Sequence, residues 1–152
     1  MILTYWKKFS QYPFGKLVFG WLLGFYVPYS GSITPEILEL EEGYAKVLMR
    51  DRRRLRNHLS SLHAAALMNF AELTSGLAFI SGLGSDMQGI VTHFEMDYLK
   101  KGRGDLTAEC KSQSVGIKEE KQCEVEAIIR DHKNDIVARG RATWLIRPKK
   151  HD

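Results

Sequence analysis

The spacing of hydrophobic and polar positions changes character several times along the chain. Large apolar side chains crowd residues 14–25 (Phe14, Leu17, Val18, Phe19, Trp21, Leu22, Leu23 and Phe25), which predicts an N-terminal helix closed by Val27-Pro28, since a proline cannot continue a helix. That stretch is too short to cross a bilayer, for which about 20 apolar residues are needed, and no Ala-x-Ala cleavage site follows it. Packing over the domain is favoured over contact with a membrane surface. After a Ser30-Gly31-Ser32 turn, residues 37–42 and 44–51 predict a hairpin joined at Gly43. Arg52 to Arg56 interrupt the pattern, and Ser60 or Ser61 then caps an apolar helix running to about Phe79, with Gly82 and Gly84 beyond its end.

From Gln88 the period becomes two. Thr92, Phe94, Met96 and Tyr98 alternate with His93, Glu95 and Asp97, as in a strand with one buried face. Further strands carry Leu106, Ala108 and Cys110, then Cys123, Val125, Ala127 and Ile129, then Ile136, Ala138, Gly140, Ala142, Trp144 and Ile146. The linking segments, Lys101-Gly102-Arg103-Gly104 and Asn134-Asp135 among them, are too short for crossovers, so successive strands should be antiparallel neighbours. The pattern predicts an α+β domain in which a curved antiparallel sheet of about six strands wraps a long central helix. Residues 1–30 form an added helical segment and 31–152 the domain proper.

Composition narrows the class. With 152 residues, 44% hydrophobic and 26% charged, the chain supports one core and no extended disorder. The net charge of +4 gathers at residues 50–56 and at Arg147, Lys149 and Lys150. Without a nucleic-acid motif or a basic stripe interleaved with aromatics, this reads as a solvated face, with no nucleic-acid partner. Cys110 and Cys123 fall on apolar positions and read as small core residues, consistent with a reducing cytoplasm. His58 and His63 lack a convincing third ligand, so neither a metal nor another cofactor is expected.

One residue conflicts with its surroundings. Between Asn57 and Ser85 the only formally charged side chain is Glu72. Desolvating a carboxylate without a partner costs several kcal/mol, so either a structural partner or catalysis must account for it.

The segment Asn57-x5-His63-Ala64-Ala65-x6-Glu72, together with the element order, resembles the hotdog-fold thioesterases, and most closely the branch containing phenylacetate-type acyl-CoA thioesterases and their uncharacterised relatives. In that branch an Asn stands six residues before a His-Gly-Gly and an acid nine residues after the His, the spacings found here. The paired glycines are replaced by Ala64-Ala65, which narrows backbone approach but keeps the Ala64 N–H. The resemblance implies the hotdog fold and hydrolysis of an acyl-CoA. It places the Ala64 N–H at the thioester carbonyl as an oxyanion donor at the positive end of the helix. Asn57 lies at the same carbonyl, either as a donor or by shaping the loop, and Glu72 activates water or attacks directly. His63 either takes part or bonds a backbone group. Lys100, Lys101 and Arg103 would meet coenzyme phosphates. Some relatives carry a serine on the following strand; Val91 stands there in this chain, with Thr92 or His93 as substitutes. Nine helical residues put Glu72 roughly 13 Å along the axis from His63, so one thioester cannot reach both, and a homodimer or dimer of dimers with sites shared between subunits follows. The alternatives are a hotdog dehydratase or hydratase, which needs His58 or His63 to meet the carboxylate, and a non-catalytic acyl-CoA-binding protein.

Overall fold

The computed structural model describes residues 2–149 apart from 115 and 117; Lys150 lies outside the described residues. At its centre runs α4 (Ala64–Gly82), whose Phe70, Ala71, Thr74, Ala78 and Phe79 are fully buried. Its buried hydroxyls fit that setting because each is hydrogen-bonded. Thr74 Oγ1 donates to Phe70 O, and Ser75 Oγ to Glu72 O. Ser81 Oγ accepts from Gly43 N and has two acceptors, Glu41 O and Ala78 O, within reach of its one hydrogen. Hydroxyls bonded in this way cost a core little, whereas unpaired ones are expensive. This is the helix long and apolar enough to cross a membrane among the described residues, and most of it is buried in the domain.

Six antiparallel strands curl around it: β1 (Glu36–Glu41), β2 (Tyr44–Met49), β3 (Met87–Tyr98), β4 (Leu106–Lys111), β5 (Lys121–Arg130) and β6 (Ile136–Pro148), in the order β1-β2-β4-β5-β6-β3. Period-two patterning sends Ala45, Val47, Met49, Leu106, Ala108, Ala127, Ile129, Ala142 and Ile146 inward against α4, each at most 1% exposed. At Gly140 on β6 the sheet comes so close that a Cβ would lie 2.6 Å from the Cβ of Ala71. Only glycine fits there. The α+β hotdog architecture is therefore as expected, and Cys110 and Cys123 are buried free thiols, with burial pushing the Cys110 thiol up to about 12.

Several details differ from the sequence reading. The central helix is capped by His63 rather than by Ser60 or Ser61, and it continues past Phe79 to Gly82. Ser61 instead bonds within the preceding loop and Ser60 has a left-handed φ of 55°. The N-terminal segment holds three helices, α1 (Ile2–Ser10), α2 (Gly15–Tyr26) and α3 (Pro28–Gly31), where one helix and a turn were expected. Two short runs of helix are stabilised here by packing rather than propensity: Trp6 of α1 meets Phe19 of α2 edge-on at 5.2 Å, and Gly20 lets α2 approach β1 so closely that a Cβ would lie 2.6 Å from Pro35 O.

The largest difference concerns β3. It pairs only with β6 and forms the sheet edge, instead of lying beside β4. Antiparallel direction survives but adjacency does not, because residues 99–105, at roughly 3.3 Å each, span about 23 Å, more than the roughly 14 Å across three strand spacings. A bulge between Val91 and His93 also breaks the alternation. Inward positions are Met87 and Val91 before it and Phe94 and Met96 after it, so Thr92 is exposed and does not share the buried face with Phe94.

Candidate active site

The loop leading into α4 is built around one side chain. Asn57 Oδ1 accepts from Leu59 N (2.9 Å), Ser61 N (3.3 Å) and Ser61 Oγ (3.1 Å), while Asn57 N donates to Ser61 O. An asparagine can mimic a backbone turn in this manner. The loop is pinned from outside by Leu62 N to Gly102 O and His63 N to Leu55 O, each 2.8 Å. Of the two roles open to Asn57, loop shaping is what its oxygen does here; its Nδ2 donor has no partner among the described residues.

His63 then adopts extended dihedrals, φ −67° and ψ 142°, and its Nδ1 accepts from Ala65 N at 3.1 Å. Histidine thus acts as the helix cap. The N–H of Ala64, one position earlier, has no protein acceptor among the described residues, as first-turn donors ordinarily lack one. Beside it opens a cavity of about 320 Å³ lined by Asn57, Leu59, Ala64, Tyr98, Lys101 and Gly102, with Lys100 also on its wall. Tyr98 Oη donates to Ala64 O at 3.2 Å. The period-two pattern gives this tyrosine no role; its position just before Lys100-Lys101 is the available signal.

The turn over the cavity is fixed by ion pairs. Arg50 bonds Glu36 and, at 2.8 Å, Asp105, whose other oxygen accepts from Asp51 N. Asp51 in turn accepts from Gly104 N and from Arg56. These bonds hold the Asp105 carboxyl below its ordinary pKa, the Asp51 N–H contributing most. Part of the basic run is therefore committed to structure. Lys100 is committed too: its ammonium lies 2.7 Å from Asp131 and 2.8 Å from Asp135, and it holds Asp131 down at about 2. Lys101 has no such partner among the described residues, and Arg103 reaches Leu59 O at 3.5 Å.

The remaining expected residues lie elsewhere. His63 faces a second cavity of about 220 Å³ on the other side of the helix start, with Arg54, Arg56, Ser32 and Asn69. Thr92 Oγ1 bonds Thr143 O far along β3. Glu72 lines neither cavity. It is half-buried on a stripe of α4 shared with Ala65, Met68 and Ile80, the part of the helix that the sheet leaves open. No hydrogen bond or ion pair among the described residues reaches its carboxylate, and burial alone raises its pKa above the ordinary value. Eight residues of continuous helix separate it from Ala64, about 12 Å along the axis. The fold brings Asn57, Ala64, Lys101 and Tyr98 together and leaves Glu72 apart. Among the described residues no three His, Cys, Asp or Glu side chains form a metal-binding group.

A family model described as a domain of unknown function (DUF4442) matches residues 15–146, from the start of α2 into β6. The chain belongs to this family. Its fold matches the crystal structure of genomics APC5556 with a TM-score of 0.85 at 26% identity, over 97% of this chain and 99% of that one. It also matches PA5026 from Pseudomonas aeruginosa, a protein of unknown function described as a probable thioesterase (TM-score 0.76, 22% identity, 85% and 93% coverage). A hypothetical thioesterase protein from Streptococcus pneumoniae, solved with coenzyme A, aligns with a TM-score of 0.69 at 19% identity over 84% of this chain and 99% of that one. No functionally curated protein shares significant similarity with the sequence. The fold is the hotdog fold.

Proposed function

We propose that the protein hydrolyses an acyl-CoA thioester at a site shared by two copies of the chain. The observation that carries this reading is the unpartnered, half-buried Glu72 on the open stripe of α4, two helical turns from a cavity that offers the free Ala64 N–H and the Asn57 amide. The coenzyme A bound to the S. pneumoniae neighbour supports the ligand class.

The second copy is suggested by β3. It is a twelve-residue edge strand whose Val91, Phe94 and Met96 are only partly covered, and Met68 and Ile80 on α4 are exposed as well. Long uncovered edges with apolar flanks are templates for pairing. A two-fold through this edge presents each Glu72 to the other protomer's helix start and yields two equivalent sites.

In the reaction, the thioester carbonyl oxygen sits at Ala64 N–H, with Asn57 Nδ2 as a second donor. Ionised Glu72 takes a proton from water as the water oxygen bonds to the carbonyl carbon. Negative charge develops on the carbonyl oxygen, where helix-terminal donors stabilise it most. Collapse breaks the C–S bond; the thiolate leaves and takes up the proton held by Glu72, giving a carboxylic acid and free coenzyme A. Lys101, which lines the cavity, and Arg103, two residues further along the same turn, would meet the coenzyme phosphates. Lys100, already held between two aspartates, serves chiefly to fix the turn. The dehydratase alternative gains little, since it needs a histidine at the carboxylate and His63 faces the second cavity, which Glu72 does not line.

The test is thiol release across short, long and aromatic acyl-CoAs. Wild type releases coenzyme A from at least one, and Glu72→Ala loses that turnover while remaining folded. Saturable acyl-CoA binding without turnover would instead establish a binding protein.

A further inference from the structure

We propose that the outer face of the α1–α2 unit docks on the surface of an anionic phospholipid bilayer. This goes beyond the thioesterase reading and does not depend on it.

Apart from Lys16, helix α2 carries only glycine, aliphatic and aromatic residues, yet only one side of it is packed. Gly15, Phe19 and Gly20 pack inward against α1 and β1. The opposite side leaves Trp21 71%, Phe25 78% and the preceding Phe14 78% exposed, with Leu17, Val18 and Leu22 between them. Tyr12, Tyr26 and Tyr29 border this patch and are also exposed. Isolated exposed hydrophobics are ordinary, but a contiguous aromatic face marks an interaction site.

Charge selects the occupant. Residues 1–35 contain Lys7, Lys8 and Lys16 and no Asp or Glu, so three of the four net positive charges of the whole protein lie in this segment. Lys16 donates to Leu38 O, leaving Lys7 and Lys8 in the last turn of α1 as the exposed ammonium groups. A second copy of the chain on this face would set lysines against their own kind with no acid to compensate. Anionic headgroups supply the missing charge, and Trp, Tyr and Phe favour the depth where acyl chains meet headgroups. With 12 residues, α2 cannot span a bilayer and would lie in its surface. The unit sits on β1, at the sheet edge opposite β3, so the face stays open when β3 is paired.

The protein carries its own reporter: Trp6 and Trp144 are 6% and 5% exposed, so an emission shift on adding lipid reads Trp21. The full chain should float with vesicles containing phosphatidylglycerol, with a blue shift of tryptophan emission, and bind vesicles of phosphatidylcholine alone far less. Trp21→Ser/Phe25→Ser should abolish flotation with unchanged circular dichroism. Lys7→Gln/Lys8→Gln, which touches only solvated side chains, should lower affinity for the anionic vesicles by about thirtyfold and leave the weak binding to phosphatidylcholine unchanged. Absence of flotation with either vesicle overturns the proposal, as does anionic binding that survives both double variants. A fall in the sedimentation mass of lipid-free Trp21→Ser/Phe25→Ser also overturns it, and assigns the face to a second copy.

Discussion

The start of α4 and its middle obey different rules. At the start, Asn57, Ser61 and His63 find their partners within a few residues, and the loop is complete in one chain. Two turns further on, Glu72 has none, and burial raises its pKa with no cation to lower it. Local bonds of the first kind hold a loop in shape; a lone carboxylate of the second kind weakens the fold by its own desolvation. A residue retained at that cost is one whose partner, on the reading proposed above, comes from outside the protomer.

The strongest way to break this contrast is to damage the two halves in separate copies. Glu72→Ala should lower kcat at least 100-fold, the scale of a lost general base. Ala64→Pro should do the same by removing a single donor. Proline is tolerated at the first helical position, and the extended φ and ψ of His63 suit the residue before it. Mixing the two inactive proteins under exchange should restore about one quarter of wild-type activity, since half the dimers are mixed and each then holds one intact site. No recovery would place the whole site within one chain.

Asn57 sharpens the other half. Asn57→Ala leaves three loop donors without their acceptor and should cost about 1–3 kcal/mol of stability along with activity. Asn57→Asp keeps the acceptor and loses the Nδ2 donor. Near-wild-type melting with reduced kcat in Asn57→Asp assigns the amide to the reaction, whereas unchanged kcat confines it to the loop.

Titration gives a further handle. Since burial raises the folded-state pKa of Glu72 above its unfolded value, the native state binds this proton more tightly. The group favours folding when protonated and opposes it as pH rises from the unfolded pKa through the folded one. Glu72→Gln should therefore raise Tm at pH 7 by a few degrees, on the order of 2–4 °C per kcal/mol for a domain of this size, and the gain should vanish in acid. Wild-type kcat/KM should fall with decreasing pH at a value above the ordinary carboxylate range. The smallest effect expected separates the paired lysines: Lys101→Ala should raise KM for acyl-CoA a few-fold, as for one lost solvent-exposed ion pair, while Lys100→Ala should act mainly on Tm.

Much of this was readable from residue order. The apolar helix, the hairpin and the four later strands follow from period and turn residues, and Glu72 stood out as the lone charge in its segment. What the period could not convey was pairing. The alternation of Thr92, Phe94 and Met96 looks like one continuous face, and only hydrogen bonding to β6 reveals the bulge after Val91. The edge position of β3 likewise depends on a connection that crosses the sheet end, which local composition does not record. Helix α1 leaves no periodic signature because Trp6 is buried by Phe19 of another helix. Tyr98 was missed because its hydroxyl meets Ala64 O across a sequence gap of 34 residues.

The chain order of α4 has a consequence during synthesis. Of the strands that wrap it, only β1 and β2 precede it; β3, β4, β5 and β6 are all made afterwards. At roughly 5–20 residues per second, the 19-residue helix, with a mean hydropathy of 1.3, leaves the ribosome several seconds before its sheet is complete. For that interval the nascent chain displays a segment that insertion machinery and chaperones both recognise by hydrophobicity. Glu72 sits at the middle of that segment, where one ionised carboxylate raises the energy of membrane entry by about 3 kcal/mol.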